Sequence, residues 1–76
     1  MNAKEALRLS GQNLETIRRS KDLSIETLAV LSQVDADIIR AMEDGNFDFR
    51  VSLVFELAAT LNVDFRQILV DPTAYI

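Results

Sequence analysis

The 76-residue sequence contains no cysteine and no histidine. Those absences exclude disulfides, Cys/His zinc sites and histidine-based catalysis. A lack of cysteine is also compatible with a reducing compartment. Glycine occurs twice and proline once, while hydrophobic residues make up 49%. That balance excludes a disordered or low-complexity chain and leaves enough apolar surface for a core. No apolar run approaches the roughly 18 residues that a membrane span needs. The opening "MNAKEALRLSGQN" lacks the apolar centre of a secretory signal, so a cytoplasmic protein with no membrane contact is expected. Basic residues are in the minority, at eight Lys+Arg against twelve Asp+Glu, for a net charge of −4. Nucleic-acid binders usually carry a basic footprint. Any such footprint here must be local, on an acidic body.

What remains is helical spacing nearly everywhere. There are no alternating strand runs and no Asn-Gly hairpin turn. "AKEALRL" (3–9) can extend a helix backward, but Gly11 weakens the continuation. The first firm helix is therefore expected over about 12–21, with Leu14 and Ile17 on one face. Arg18, Arg19 and Lys21 crowd its last turn, where cations suit the helix dipole. Ser24 is the N-cap of a second helix, with Glu26 in its first turn. Leu28 and Leu31 share a face of that helix, beside small Ala29. Asp35 caps a third helix, Asp37 adds a first-turn carboxylate, and Gly45 closes it. Val34, Ile39 and Met42 form its inward stripe. "GNFDF" is a loop. "RVSLVFELAATLNV" is a fourth helix, with Val51, Val54, Leu57, Ala58 and Leu61 on one face and Asn62 as a left-handed terminator. "DFRQILV" is a fifth short helix capped by Asp64. In the tail "DPTAYI", Pro72 blocks further helix. One domain spans 1–76, with 1–10 as an N-terminal extension, 11–69 as the core and 70–76 as the tail. A domain this small buries only about 60% of its unfolded surface, so a second copy or a partner would stabilise it.

The second and third helices are joined by a turn of about three residues, Ser32 to Val34. Small Ala29 allows their close approach. That is the pattern of a helix-turn-helix, in which the first helix crosses a DNA backbone and the second offers its N-terminal half to the major groove. Such pairs also occur in plain helical bundles, so the spacing alone leaves function open.

The residues carry more than the spacing. "IRRSKDLSIETLA" (17–29), Val34, "IIRAMEDG" (38–45) and "LAATLNVDFRQIL" (57–69) resemble the lambda-repressor/Cro-like helix-turn-helix domains of the Xre family. The likeness runs without a gap from Gly11 to about Leu69. It includes the Leu-Ser-x-x-x-Leu-Ala signature (Leu23, Ser24, Leu28, Ala29) and the Leu57-Ala58 pair. The resemblance implies an all-α, five-helix, lambda-repressor-like DNA-binding domain with a central helix-turn-helix at 24–44. It implies a structural ion pair between Arg18 and Glu43. It also implies candidate DNA contacts at Ser24, Ile25, Ala36, Asp37 and Ala41. Separately, Arg40, Asn46 and Arg50 are candidates to approach the backbone beside the groove, or are ordinary solvated surface. Several of these depart from the family pattern. Ile25 replaces a backbone-contacting glutamine, and Ala36, Asp37 and Ala41 stand where longer polar readers are usual. Gln33 replaces the turn glycine and Phe49 a proline. Ala can contact a thymine methyl and Asp can accept from cytosine N4, but neither makes a bidentate purine contact.

Charge pulls against DNA. A carboxylate about 4 Å from a phosphate costs roughly 1 kcal/mol in water and about 4 kcal/mol at an effective dielectric of 20. Asp35 is relieved of that conflict if it caps its own helix. Asp37 stands open between a solvated charge and a functional contact. Two readings follow. The first is a sequence-specific DNA-binding transcriptional regulator of the phage-repressor or antitoxin-like kind, binding double-stranded DNA as a homodimer. Its dimer surface is expected at Phe65, Ile68, Val70, Tyr75 and Ile76. The second is a protein-interaction module on the same fold, binding another protein through Ile25, Asp35, Asp37, Ile38 and Phe47. The surplus apolar residues Ile25, Val30, Ile38, Phe47 and Phe49 would form a partner patch if exposed together. An enzyme is not expected. Adjacent carboxylates such as Glu43 and Asp44 face different directions on a helix, no Gly-rich loop or metal spacing is present, and no cofactor is implied.

Overall fold

The computed structural model describes residues 2–46 and 50–70, and of Val51 the backbone alone. Four α-helices are present: α1 (Ala3–Ser20), α2 (Ile25–Ser32), α3 (Ala36–Glu43) and α4 (Val51–Leu61). A single 3-10 turn, Phe65–Gln67, follows. No strand occurs among the described residues.

The first helix begins well before the start expected at 12. Asn2 caps it, its side-chain oxygen accepting from the Glu5 N–H at 2.8 Å. It then runs straight through Gly11. The reason is packing. A β-carbon at Gly11 would collide with the Met42 carbonyl oxygen and lie 2.8 Å from that of Glu43. The last turn of α3 therefore rests directly on the α1 backbone, and only glycine permits the approach. That contact offsets the roughly 1 kcal/mol helix cost of glycine.

The side chains sealed from solvent are Leu14, Leu28, Val34, Ile39, Met42, Val54, Leu57, Ala58, Leu61 and Ile68. The inward stripes expected for α3 and for the described part of α4 are both found. α3 packs against α1 and α2, α4 packs against α2, and the 3-10 turn lies on α4. One expectation for α2 fails. Leu28 is fully buried, yet Leu31 is 59% exposed. The inward face of α2 is Ile25, Leu28, Ala29 and Ser32, and Leu31 falls beside it.

The expected fifth helix is only the 3-10 turn. Asp64 caps it and a full capping box with Gln67 closes it. Beyond it, backbone groups are taken up by α1. The Ile68 carbonyl accepts from Asn13 Nδ2 at 3.2 Å, and the Val70 N–H donates to buried Ser10 Oγ at 2.8 Å. These two bonds staple the end of the described chain to the first helix. They also turn Ile68 fully into the core, which removes its side chain from the expected dimer surface. Val70 is half-buried. The expectations for Phe47, Phe49, the Val51 side chain, Pro72, Tyr75 and Ile76 lie outside the described residues. Among the described residues no helix is long and apolar enough to cross a membrane.

Candidate nucleic-acid interface

The α2–turn–α3 unit is built from local caps. Ser24 starts α2, its Oγ accepting from the Thr27 N–H at 3.0 Å. Gln33 ends it in the left-handed conformation, φ +62°. A glycine would adopt that conformation without strain, whereas Gln33 holds it because both sides of the turn are fixed. On one side Ser32 Oγ donates to the Leu28 carbonyl at 2.7 Å and accepts from the Val34 N–H at 3.2 Å. On the other, Val34 is buried. Asp35 then caps α3, accepting from the Asp37 N–H at 2.8 Å. Its carboxylate is thus engaged at its own helix start, as expected of a cap.

The unit is anchored from behind by Arg18. Its Nε lies 2.6 Å from Glu43 Oε2 and its Nη2 2.9 Å from Glu43 Oε1, a bidentate fork between side chains nearly closed to solvent. Nη1 donates to the Leu23 carbonyl at 2.7 Å. One guanidinium thereby ties α1 to the end of α3 and to the segment entering α2. The hydrogen bond to Glu43 holds the Arg18 guanidinium above its usual pKa, against the opposing pull of burial. The pair implied by the family resemblance is present in the described geometry.

At the front, α3 carries Ala36 and Asp37 in its first turn and Arg40 and Ala41 one turn later. Asp37 is the most open, with its side chain 92% exposed. It is nonetheless paired. Arg40 Nη1 lies 3.0 Å from Asp37 Oδ1, and Arg40 Nη2 lies 3.3 Å from Glu26 Oε1 on α2. The Asp37 charge is therefore neither bare nor pointed at solvent alone. The Glu26 partnership was not visible in the sequence, because 14 positions separate the two residues and only the angle between α2 and α3 brings them together.

The other candidates scatter. Ser24, Asn46 and Arg50 are exposed, while Ala36 and Ala41 are half-buried. Ile25 and Ile38 pack partly against the core, which weakens the expected apolar patch. In its place Val30, 78% exposed, stands beside Leu31 on α2. The basic cluster at the end of α1 is largely spent: beyond Arg18, Arg19 pairs with Glu15 at 3.1 Å. Among the described residues no group of metal-ligating side chains converges.

A scan against protein-family models and a search of curated proteins find no match. Solved structures do match. The restriction-modification controller protein C.AhdI from Aeromonas hydrophila aligns at 33% identity and a TM-score of 0.80, covering 83% of this chain and 96% of that one. This chain belongs to the Xre-like helix-turn-helix family of transcription regulators. The hypothetical transcription factor NHTF from Neisseria is 26% identical, with a TM-score of 0.79 over 99% of this chain and 87% of that one. An HTH_3 family transcriptional regulator from Vibrio cholerae shares the fold, with a TM-score of 0.84 at 19% identity. It covers 88% of this chain, which spans 38% of that longer protein. Within the Xre-like frame, α2 and α3 are the helix-turn-helix pair, and α1 and α4 carry them.

Proposed function

We propose that the chain is a sequence-specific DNA-binding transcriptional regulator that engages a two-fold operator as a homodimer, acting in the cytoplasm by binding and not by catalysis. The observation that carries this reading is the α2–turn–α3 unit, locked to α1 by Arg18 and Glu43, with Asp37 and Arg40 exposed on the outer face of α3. In that pose α2 crosses the backbone and α3 enters the major groove. Ala36, Asp37, Arg40 and Ala41 face the bases, while Ser24, Asn46 and Arg50 flank the phosphates. A module this small reads few base pairs, and two copies gain affinity by engaging both half-sites about one helical turn apart. The dimer face on this reading is the surface around half-exposed Phe55 and its neighbour Phe65, whose ring centroids lie 4.7 Å apart. Half-buried Val70 adjoins it in sequence.

The test is binding to a pool of random duplex DNA at about 50 and 200 mM salt, where a regulator shows a steep negative dependence of affinity on salt. Absence of binding at the lower salt sinks the reading. A second reading is favoured by exposed Val30 and Leu31. In it, the helix-turn-helix surface, with Ile25, Asp35, Asp37 and Ile38, docks another protein. Charge reversal at Asp35 and Asp37 abolishes capture of such a partner, whereas it strengthens contact with DNA.

A further inference from the structure

Glu26 and Asp37 are the groups that DNA binding alone leaves without a purpose. Both sit where phosphates and bases would approach, and both are turned onto one side chain. Arg40 is held at Nη1 by Asp37 at 3.0 Å and at Nη2 by Glu26 at 3.3 Å. An exposed arginine normally samples many rotamers and loses that freedom on binding. This one has a carboxylate partner on each of two helices, which biases it toward one rotamer. Of its five N–H bonds, two are engaged, so Nε–H and one hydrogen on each Nη remain to be used. A phosphate drawn to this guanidinium also meets two carboxylates, so the held cation is a poor backbone clamp. A neutral acceptor edge meets no such repulsion. Guanine offers two acceptors, O6 and N7, that match an arginine fork in the major groove. Ala36 and Ala41 carry no side-chain donor, which leaves Arg40 as the side chain of α3 able to fork onto a purine.

We propose, on the footing of the DNA-binding reading, that Glu26 and Asp37 are positioning residues that hold Arg40 as the reader of one guanine in each half-site and weaken its contact with phosphate. Sequences are selected from a random duplex pool with the wild-type chain and with Glu26→Gln, Asp37→Asn and Arg40→Gln. All three positions are exposed, and thermal melts confirm that the variants stay folded. The wild type selects one guanine per half-site, whose replacement costs about tenfold in affinity. Arg40→Gln erases that preference. Glu26→Gln and Asp37→Asn each relax it severalfold at the same position while binding random duplex more tightly. Two results overturn the proposal: carboxamide variants that bind every duplex more tightly with the guanine preference intact, or a guanine preference that survives Arg40→Gln. A wild-type chain that binds no duplex at low salt removes the DNA reading itself, a result distinct from binding with an unchanged preference.

Discussion

Replacing Glu43 with glutamine is the sharpest test of how the helix-turn-helix is held. The Glu43 side chain is 4% exposed and that of Arg18 is 8% exposed. In the variant the guanidinium stays in place and stays charged, because arginine does not deprotonate in proteins. It keeps the Leu23 carbonyl and a distant Glu15 carboxylate at 4.0 Å, but it loses the negative charge of Glu43 and one of its two acceptors. The amide NH2 that replaces that acceptor is a donor facing a donor. Breaking a buried pair by removing one partner costs about 3–5 kcal/mol. A domain of this length has a total stability of about 4–11 kcal/mol at the usual per-residue value. The substitution should therefore consume a large share of the total. Each kcal/mol moves the melting midpoint of so small a domain by about 4–8 °C, so Tm should fall by well over 10 °C. The assay is urea and thermal unfolding followed by helical circular dichroism. The double variant Arg18→Met, Glu43→Leu supplies the control, since an apolar pair of similar volume is often neutral or stabilising where a broken ion pair is not. A loss below about 1 kcal/mol in Glu43→Gln, or a double variant weaker than the single one, would refute the assignment of this pair as the clamp between α1 and α3.

Other expectations follow from the same structure. Gly11→Ala should destabilise by about 1–3 kcal/mol through overpacking against the Met42 and Glu43 carbonyls, although alanine favours helix by about 1 kcal/mol. A stabilised variant in urea titration would show that α1 and α3 do not meet there. Leu28→Ala should cost about 2–5 kcal/mol, and Leu31→Ala, three residues on but exposed, no more than about 0.5 kcal/mol. Equal losses in thermal melts would contradict the burial pattern. Asp64 is held below the usual aspartate pKa by the side-chain hydrogen bond from Arg66 and then by the Arg66 backbone N–H. Its contribution to stability is thus complete above the unfolded value of about 3.9 and disappears as pH falls through the lower folded value. Carbon NMR should place its midpoint below that of free aspartate and shift it upward in Arg66→Gln. An unmoved midpoint would refute the pairing.

The elements that were legible in the sequence are those decided locally. Ser24, Asp35 and Asp64 each cap a helical turn through their own side chain, and Asn62 and Gly45 each end one in a left-handed conformation. Such roles depend on two to four neighbouring residues, and the chain shows all of them. The Arg18–Glu43 pair became legible only through the family resemblance, since 25 positions separate the partners. What stayed hidden was decided at a distance. Gly11 read as a helix breaker, because a glycine's cost is local and its benefit, contact with the end of α3, is not. Leu31 read like Leu28 because spacing shows which residues share a face and not how wide a face the neighbours cover. Ile68 read as outward because a continuing α-helix was expected there. The 3-10 turn and the staples to Asn13 and Ser10 rotate it inward instead.

The same distinction bears on the carboxylates of α3, which set the net charge of −4 against a DNA-binding role. A charge total treats each of them as a solvated point. In the fold, Asp35 is turned into the start of its own helix, Glu43 is sealed against Arg18, and Asp37 is drawn onto Arg40. Of the carboxylates between 35 and 44, Asp35 and Asp44 are exposed without an ion-pair partner among the described residues; Asp35 is engaged as a cap, and Asp44 lies at the C-terminal end of α3. The repulsion that the composition suggests is thus partly offset by partners within the protein. What it leaves at the reading face is one cation held by two acids. On the proposed reading such a group loses attraction for phosphate while keeping its geometry for a base, so the acidity of the chain would cost it more in non-specific binding than in specific recognition.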